Sequence, residues 1–331
     1  ARLSGRLGDR VGHDRLLIGG LAGAAAVLLV AWLPDWRPMP YLALALYTSF
    51  LAGTWPALEA SIMHVPGRIN TPRRLGIYNL VWSFSGAAGF FLSGWIFTRD
   101  PDSIFYVTGA LYAAQLLWIG FHYGRHEIRG SAAMSFPHEG DRHPAATKRE
   151  LLRISWLSNS LGYFIVGGFS ALTPHLGEKF GLSQSWTIWL GSSLLAARAI
   201  GFVILYHWPG WHYHRGWNLY ALWSAPVFIT AIFFANHLAV VAFACLGLGF
   251  SLGLSYYMSI YYSLDASDNK GEQGGLHEAI IGMGILFGPL VGAVGGYLTG
   301  TTLGAKATIV IGALLLSAAG LLWAKRPEPS R

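Results

Sequence analysis

The sequence predicts an all-α polytopic membrane protein. Three observations predict it. Hydrophobic residues make up 53% and charged residues 12% of the 331-residue chain, with a mean hydropathy of +0.43, whereas soluble domains carry about 25% charged residues. The apolar residues gather into runs of about 20, the length that crosses roughly 30 Å of hydrocarbon. Short stretches rich in Pro, Gly and charge separate the runs. A backbone in lipid must satisfy its own hydrogen bonds, so runs this long read as helices and not as barrel strands.

Ten spans follow in order. The first, 16–34, opens behind the charged segment GRLGDRVGHDR. The second, 40–64, carries Glu59 near its end, and the third, 74–98, starts behind Arg73 and Arg74 and carries Asn79. The fourth, 103–123, carries Gln115. After a polar stretch come 151–176 with Asn159 and Tyr163, 184–208 with Arg198, 217–236, and 238–262 with Tyr256 and Tyr257. The last two are 275–298, which begins with His277 and Glu278, and 303–324, which closes at Trp323. Trp32, Trp36, Trp208, Trp211, Trp217 and Trp323 stand at run ends and read as an interfacial aromatic belt. Cys245 is the one cysteine, so no internal disulfide forms. The first residues do not read as a signal peptide and look instead like a chain already in progress.

Basic residues orient the spans, because Lys and Arg concentrate in short cytoplasmic connections. With the segment before Leu16 inside, all 23 Lys and Arg fall inside except Arg37, Arg99, Lys179, Lys306 and the intraspan Arg198. The predicted setting is an inner or plasma membrane, with loop 124–149 and the C-terminus cytoplasmic. The net charge of +7 then reflects topology and needs no nucleic acid partner. The chain divides into an N-terminal bundle (1–123), a central loop (124–149) and a C-terminal bundle (150–331).

An offset of 199 residues aligns 76–94 with 275–293 without a gap, placing Gly76 on Gly275, Gly89 on Gly288 and Asn79 opposite Glu278. On this internal repeat, the spans 151–176 and 184–208 have first-half counterparts ahead of residue 1. Ten of twelve helices are therefore expected here, the first two missing, in two six-helix halves.

The loop Gly5-x-Leu7-x-Asp9-Arg10-x-Gly12 ahead of the first span resembles the signature loop of the major facilitator superfamily, and this helix count and the long central loop are similar to that family's. The basic pair expected after the last glycine is replaced by His13 and Asp14, with Arg15 one place late. The resemblance implies a gating latch made of Gly5, Asp9, Arg10, Gly12, Arg15 and Glu59. Asp9 is expected to cap the helix starting near Gly274, where the macrodipole and free amides favour an acid, and Glu59 to receive Arg10 or Arg15. Gly284-x-x-x-Gly288-Pro289-x-x-Gly292 has the form of an antiporter motif but falls in another helix than in the family. These residues read either as close helix packing or, through Pro289, as a hinge.

Ionisable groups inside spans are costly and mark function by default. Arg198 suits an anionic substrate or a buried acid, with Glu278 as the partner by sign. His277 and Glu278 read either as a proton relay or as a helix-capping acid beside an interfacial histidine. Asn79, Asn159, Tyr163, Gln115, Tyr256 and Tyr257 either line a central cavity or bond between helices. His207, His212 and His214 in HWPGWHYHRGW lack a neighbouring Cys, Asp or Glu, so that loop reads as a degenerate latch at headgroup level, not a metal site.

No catalytic constellation or phosphate-binding G-x-x-x-x-G-K-[ST] loop occurs, so an enzyme or ATP-driven pump is disfavoured. No cofactor is implied. The expected function is secondary transport of a small solute by alternating access, with protons as the coupling ion, the bilayer as surroundings and a monomer as the working state. An organic anion or other small metabolite leads as substrate. A drug, amphipathic compound or sugar is the alternative, and a non-transporting sensor or scaffold ranks lower.

Overall fold

The computed structural model describes residues 2–31, 36–64, 71–97, 99–123, 143–265 and 270–325. Trp32 and most of the central loop, 124–142, lie outside them. The described residues form α1 (Arg2–Val11), α2 (His13–Ala31), α3 (Met39–His64), α4 (Thr71–Phe97), α5 (Ser103–Tyr123), α6 (Ala145–Lys179), α7 (Gln184–His207), α8 (Arg215–Phe234), α9 (Leu238–Asp265), α10 (Lys270–Thr299) and α11 (Thr302–Ala324), with one 3-10 turn at Pro209–Trp211. Each of the ten apolar runs lies on one of the helices α2 to α11. Seven helices are long and apolar enough over the described residues to cross a membrane: α2, α5, α7, α8, α9, α10 and α11. The expected ten of twelve spans is thus a tally that the structure does not establish.

Local chemistry explains where the boundaries moved. The charged opening segment, expected as a loop, is the helix α1; its chain direction changes at Gly12 alone, whose φ of 100° is costly for any residue with a Cβ. The start of α6 lies ahead of residue 151 because Ala, Lys, Arg and Glu are good helix formers. Ser183 begins α7 by accepting a hydrogen bond from the Trp186 amide at 3.4 Å, and Thr301 begins α11 in the same way with Gly304 at 3.1 Å.

The chain forms two compact units. The first comprises Ala1–Arg74, Ala88–Phe136 and Ser267–Glu278. In it α2 packs on α3 and α5, and α1 packs on α2 and α3, around Leu17, Leu21 and Ala57 with Tyr112 and Leu116 alongside. The second comprises Leu75–Ala87, Pro137–Ala266 and Ala279–Arg331. Here α9 packs against α6, α7 and α8, and α11 against α6 and α8; Ile165, Phe169, Ile229, Leu248 and Ile309 are among its buried core. Cys245 of α9 is wholly buried in that core.

In the second unit, α10 approaches α6 backbone to backbone. A Cβ on Gly284 would lie 2.6 Å from the Ser160 carbonyl oxygen, and one on Gly288 would run into the carbonyl of Phe164. Small residues remove the side chains that keep helices apart. Just beyond, Pro289 and Gly292 line a cleft of about 410 Å³ with Leu172, His175 and Ala305. Outward-facing side chains such as Trp118, Val227, Phe243, Leu290 and Leu315 are large, apolar and exposed, a surface made for lipid rather than water.

Candidate functional site

The first unit holds the charged segment against the start of α10. Asp9 Oδ2 accepts a hydrogen bond from the Glu272 amide at 3.1 Å. Glu272 is the third residue of α10, so its N–H is one of the donors that no turn of helix can satisfy. Asp9 Oδ1 also lies 3.1 Å from His13 Nε2. Arg6 donates from its Nη2 to Glu272 Oε1 at 2.7 Å, and that hydrogen bond and charge hold the Arg6 guanidinium above its usual range. Gly5 is buried, while Gly12, Arg10 and Arg15 are exposed.

Glu59 does not receive Arg10 or Arg15. Its side chain is wholly buried, and among the described residues neither carboxylate oxygen has a hydrogen-bond partner. It stands with His277, also wholly buried, and Glu278. One donor atom from each of the three lies within 4.8 Å of the others. Among the described residues this is the one such gathering of His and carboxylate donors. Gly274 completes the packing: a Cβ there would sit 2.8 Å from Glu59 Oε2. Because α10 starts at Lys270, Glu278 lies beyond its first two turns and does not cap it, and His277 is buried within the protein. The capping reading of this pair is corrected accordingly.

The second unit surrounds Arg198 with aromatic rings. The guanidinium lies 4.5 Å from the Trp82 ring centroid, and its Nη1 donates to the Tyr163 hydroxyl at 3.5 Å. Trp82 stacks on Tyr256 with centroids 4.9 Å apart and an 8° interplanar angle; Phe202 lies 5.8 Å from Tyr256 and Tyr163 6.5 Å. The Arg198 stem rests against Gly253 of α9, where a Cβ would be 3.5 Å from its Cγ. Among the described residues, Arg198 Nε is buried without a partner, as are both side-chain polar atoms of Asn79, Ser83 Oγ and Asn159 Nδ2. Within its own unit Arg198 meets Trp82 and Tyr163, and within the other unit Glu278 meets Glu59 and His277. A cation faced by π-clouds keeps donors to spare for an incoming anion. Gln115 of α5 is exposed, and Tyr257 is buried next to Gly76.

A profile of the Major Facilitator Superfamily matches residues 3–289. The chain belongs to the major facilitator superfamily. Among solved structures it is similar to the human organic anion transporter MFSD10 (TETRAN), at 16% identity and a TM-score of 0.71, covering 98% of this chain and 79% of that one. It is also similar to a singly substituted form of the E. coli fucose:proton symporter FucP, at 16% identity and a TM-score of 0.64, covering 98% and 87%. FucP in its outward conformation aligns at 14% identity with a TM-score of 0.61, covering 98% and 86%. No curated relative matches by sequence. Membership makes the chain a multi-pass protein of a transporter family, and the structural likeness shows the superfamily's fold.

Within this member of the superfamily, the loop at 207–217 packs through its aromatic residues onto α9. Trp211 is no belt residue: it is 1% exposed, its Nε1 donates to the Leu205 carbonyl at 3.2 Å, and Tyr257, Tyr261 and Tyr262 surround it. Tyr213, at a positive φ of 48°, donates through its hydroxyl to Asp265 at 2.5 Å and through its amide to the Tyr262 hydroxyl at 3.0 Å. His212 stacks on Tyr261 at 4.7 Å. Arg215 pairs with Glu150 at 3.0 Å. Sequence reasoning missed Trp82, Phe202, Tyr262 and Asp265. Trp82 carried a signal, standing three positions after Asn79 and so on the same helix face; Asp265 carried none, since its partner lies 52 positions away.

Proposed function

We propose that this superfamily member is a secondary transporter of a small organic anion, working by alternating access with protons as the coupling ion. The observation that supports it above others is Arg198, a guanidinium inside a span whose described neighbours are aromatic rings and a hydroxyl. A planar fork of donors suits a carboxylate or phosphate, and Trp82 and Tyr256 add flat faces for the rest of the molecule. The similar fold of an organic anion transporter and of a fucose:proton symporter fits the substrate class and the coupling ion. Asp9, Arg6 and Glu272 act as the gating latch, on the cytoplasmic side of an inner or plasma membrane, and the protein works as a monomeric permease without cofactor or catalysis.

A sugar is the second reading, favoured by the Trp82–Tyr256 stack and by the Asn79 amide and the Asn159 Nδ2, which have no partner among the described residues. The test is thermal stability of the purified protein against organic anions, sugars, amino acids and cationic amphiphiles, since a ligand of the native state raises its stability by mass action. Stabilisation by an anion that disappears in Arg198→Lys is expected. Stabilisation by neutral sugars alone, unchanged in that variant, selects the second reading.

A further inference from the structure

We propose that Glu59, His277 and Glu278 form a binding site for a divalent transition-metal ion. Glu59 comes from α3, and His277 and Glu278 are consecutive residues of α10. All three belong to one compact unit. One oxygen of each carboxylate lies within 4.8 Å of the other, and Glu59 is 0% exposed with no donor reaching either oxygen among the described residues.

Burying a carboxylate without a partner is strongly unfavourable, and a second carboxylate beside it worsens the balance. Among the described residues, no basic side chain donates to either Glu59 oxygen. Arg6 is committed to Glu272, and Arg10 and Arg15 are exposed. A metal ion cancels both charges at once and adds a bond to the imidazole. The donor atoms lie within 4.8 Å of one another, a span that ligands about 2.1 Å from a shared ion meet with small rotations. The donor set selects the ion's class: two carboxylate oxygens and one imidazole nitrogen suit zinc, manganese or iron, whereas magnesium and calcium take oxygen alone.

Gly274 is part of the design. Its missing side chain lets the α10 backbone lie beside Glu59 Oε2, where any Cβ would intrude at 2.8 Å. A bound ion would fasten the end of α3 to the start of α10, two helical turns from the amide that Asp9 caps. This assignment stands apart from the substrate reading, since it involves none of the residues around Arg198.

The experiment is a zinc titration of the purified protein in detergent after chelator stripping, read by bound metal per chain and by thermal stabilisation. One zinc per chain is expected, with its Kd raised at least tenfold in both Glu59→Gln and His277→Asn. A double His212→Asn/His214→Asn variant, which removes the accessible imidazoles of the 207–217 loop, should bind as the wild type does. The melting temperature of each metal-free variant reports its folding, and Glu278→Gln carries the test if Glu59→Gln does not fold. Failure of the wild type to bind zinc, or unchanged affinity in the folded Glu59, His277 and Glu278 variants, overturns the proposal. So does a metal-free Glu59→Gln more stable than a wild type that zinc leaves unaffected, because a shared proton then explains the pair.

Discussion

The guanidinium of Arg198 lies 4.5 Å from the centroid of Trp82, and Trp82 stacks in turn on Tyr256 at 4.9 Å. The two contacts make one assembly: α7 supplies the cation, α4 the ring that faces it, and α9 the ring that fixes that ring's plane. A cation–π contact contributes about 0.5–2 kcal/mol, so Trp82→Leu should raise the KM for an anionic substrate by about 2- to 30-fold while Trp82→Phe keeps part of the affinity. Uptake kinetics in proteoliposomes check this; an unchanged KM in Trp82→Leu removes the ring from the site.

Arg198→Lys should do more damage than any ring substitution. A lysine is a point charge on a flexible stem and cannot present two parallel donors. Transport should fall to near background with the melting temperature within a few degrees of wild type. Wild-type uptake in this variant makes Arg198 structural.

The cap at α10 is testable separately. Asp9→Asn keeps an acceptor for the Glu272 amide but removes the charge from the helix N-terminus, a change of about 0.3–1 kcal/mol. Folded protein should therefore be recovered in normal yield while transport slows. Equal transport rates in the two proteins would exclude a gating role for Asp9.

Two glycines of α10 make a matched pair. A Cβ on Gly288 runs into the Phe164 carbonyl, whereas one on Gly282 meets nothing within 4 Å. Gly288→Ala should destabilise by about 1–3 kcal/mol through overpacking, and Gly282→Ala should be neutral or slightly stabilising because alanine is the better helix former. Thermal unfolding of the two variants side by side decides it.

Tyr213→Phe should cost about 1–2 kcal/mol, since it takes a donor from the buried Asp265 carboxylate. Loss of stability without change in substrate affinity is the expected pattern, measured by thermal unfolding with and without ligand. Altered affinity instead would place the 207–217 loop in the substrate path.

Much of this architecture is legible in the sequence because apolar runs and polar breaks are local signals. The ten long helices match ten runs, and Arg198 stands out as a lone charge within one of them. What the sequence hides is tertiary. Gly5, Gly8 and Gly12 make the opening segment look like a loop, yet only Gly12 needs a conformation that other residues avoid, so the rest is helical. Trp211 sits at a run end like an interfacial residue, but three tyrosines from α9 enclose it. Charge sign alone pairs Arg198 with Glu278, while the fold brings Glu278 to Glu59. That meeting joins residues 219 positions apart in the chain, beyond the reach of any periodicity.

The burial of Cys245 in the α9 core has a practical side. Thiol-specific reagents have no ready target in this chain as it stands, so a spin label or fluorophore attached through an introduced cysteine reports from the chosen position alone. One label at an exposed residue of each compact unit, Leu111 of α5 and Trp186 of α7 for example, turns the chain into its own molecular ruler. The distance distribution between them, recorded with and without an organic anion, then shows whether the proposed substrate changes the conformation of this chain.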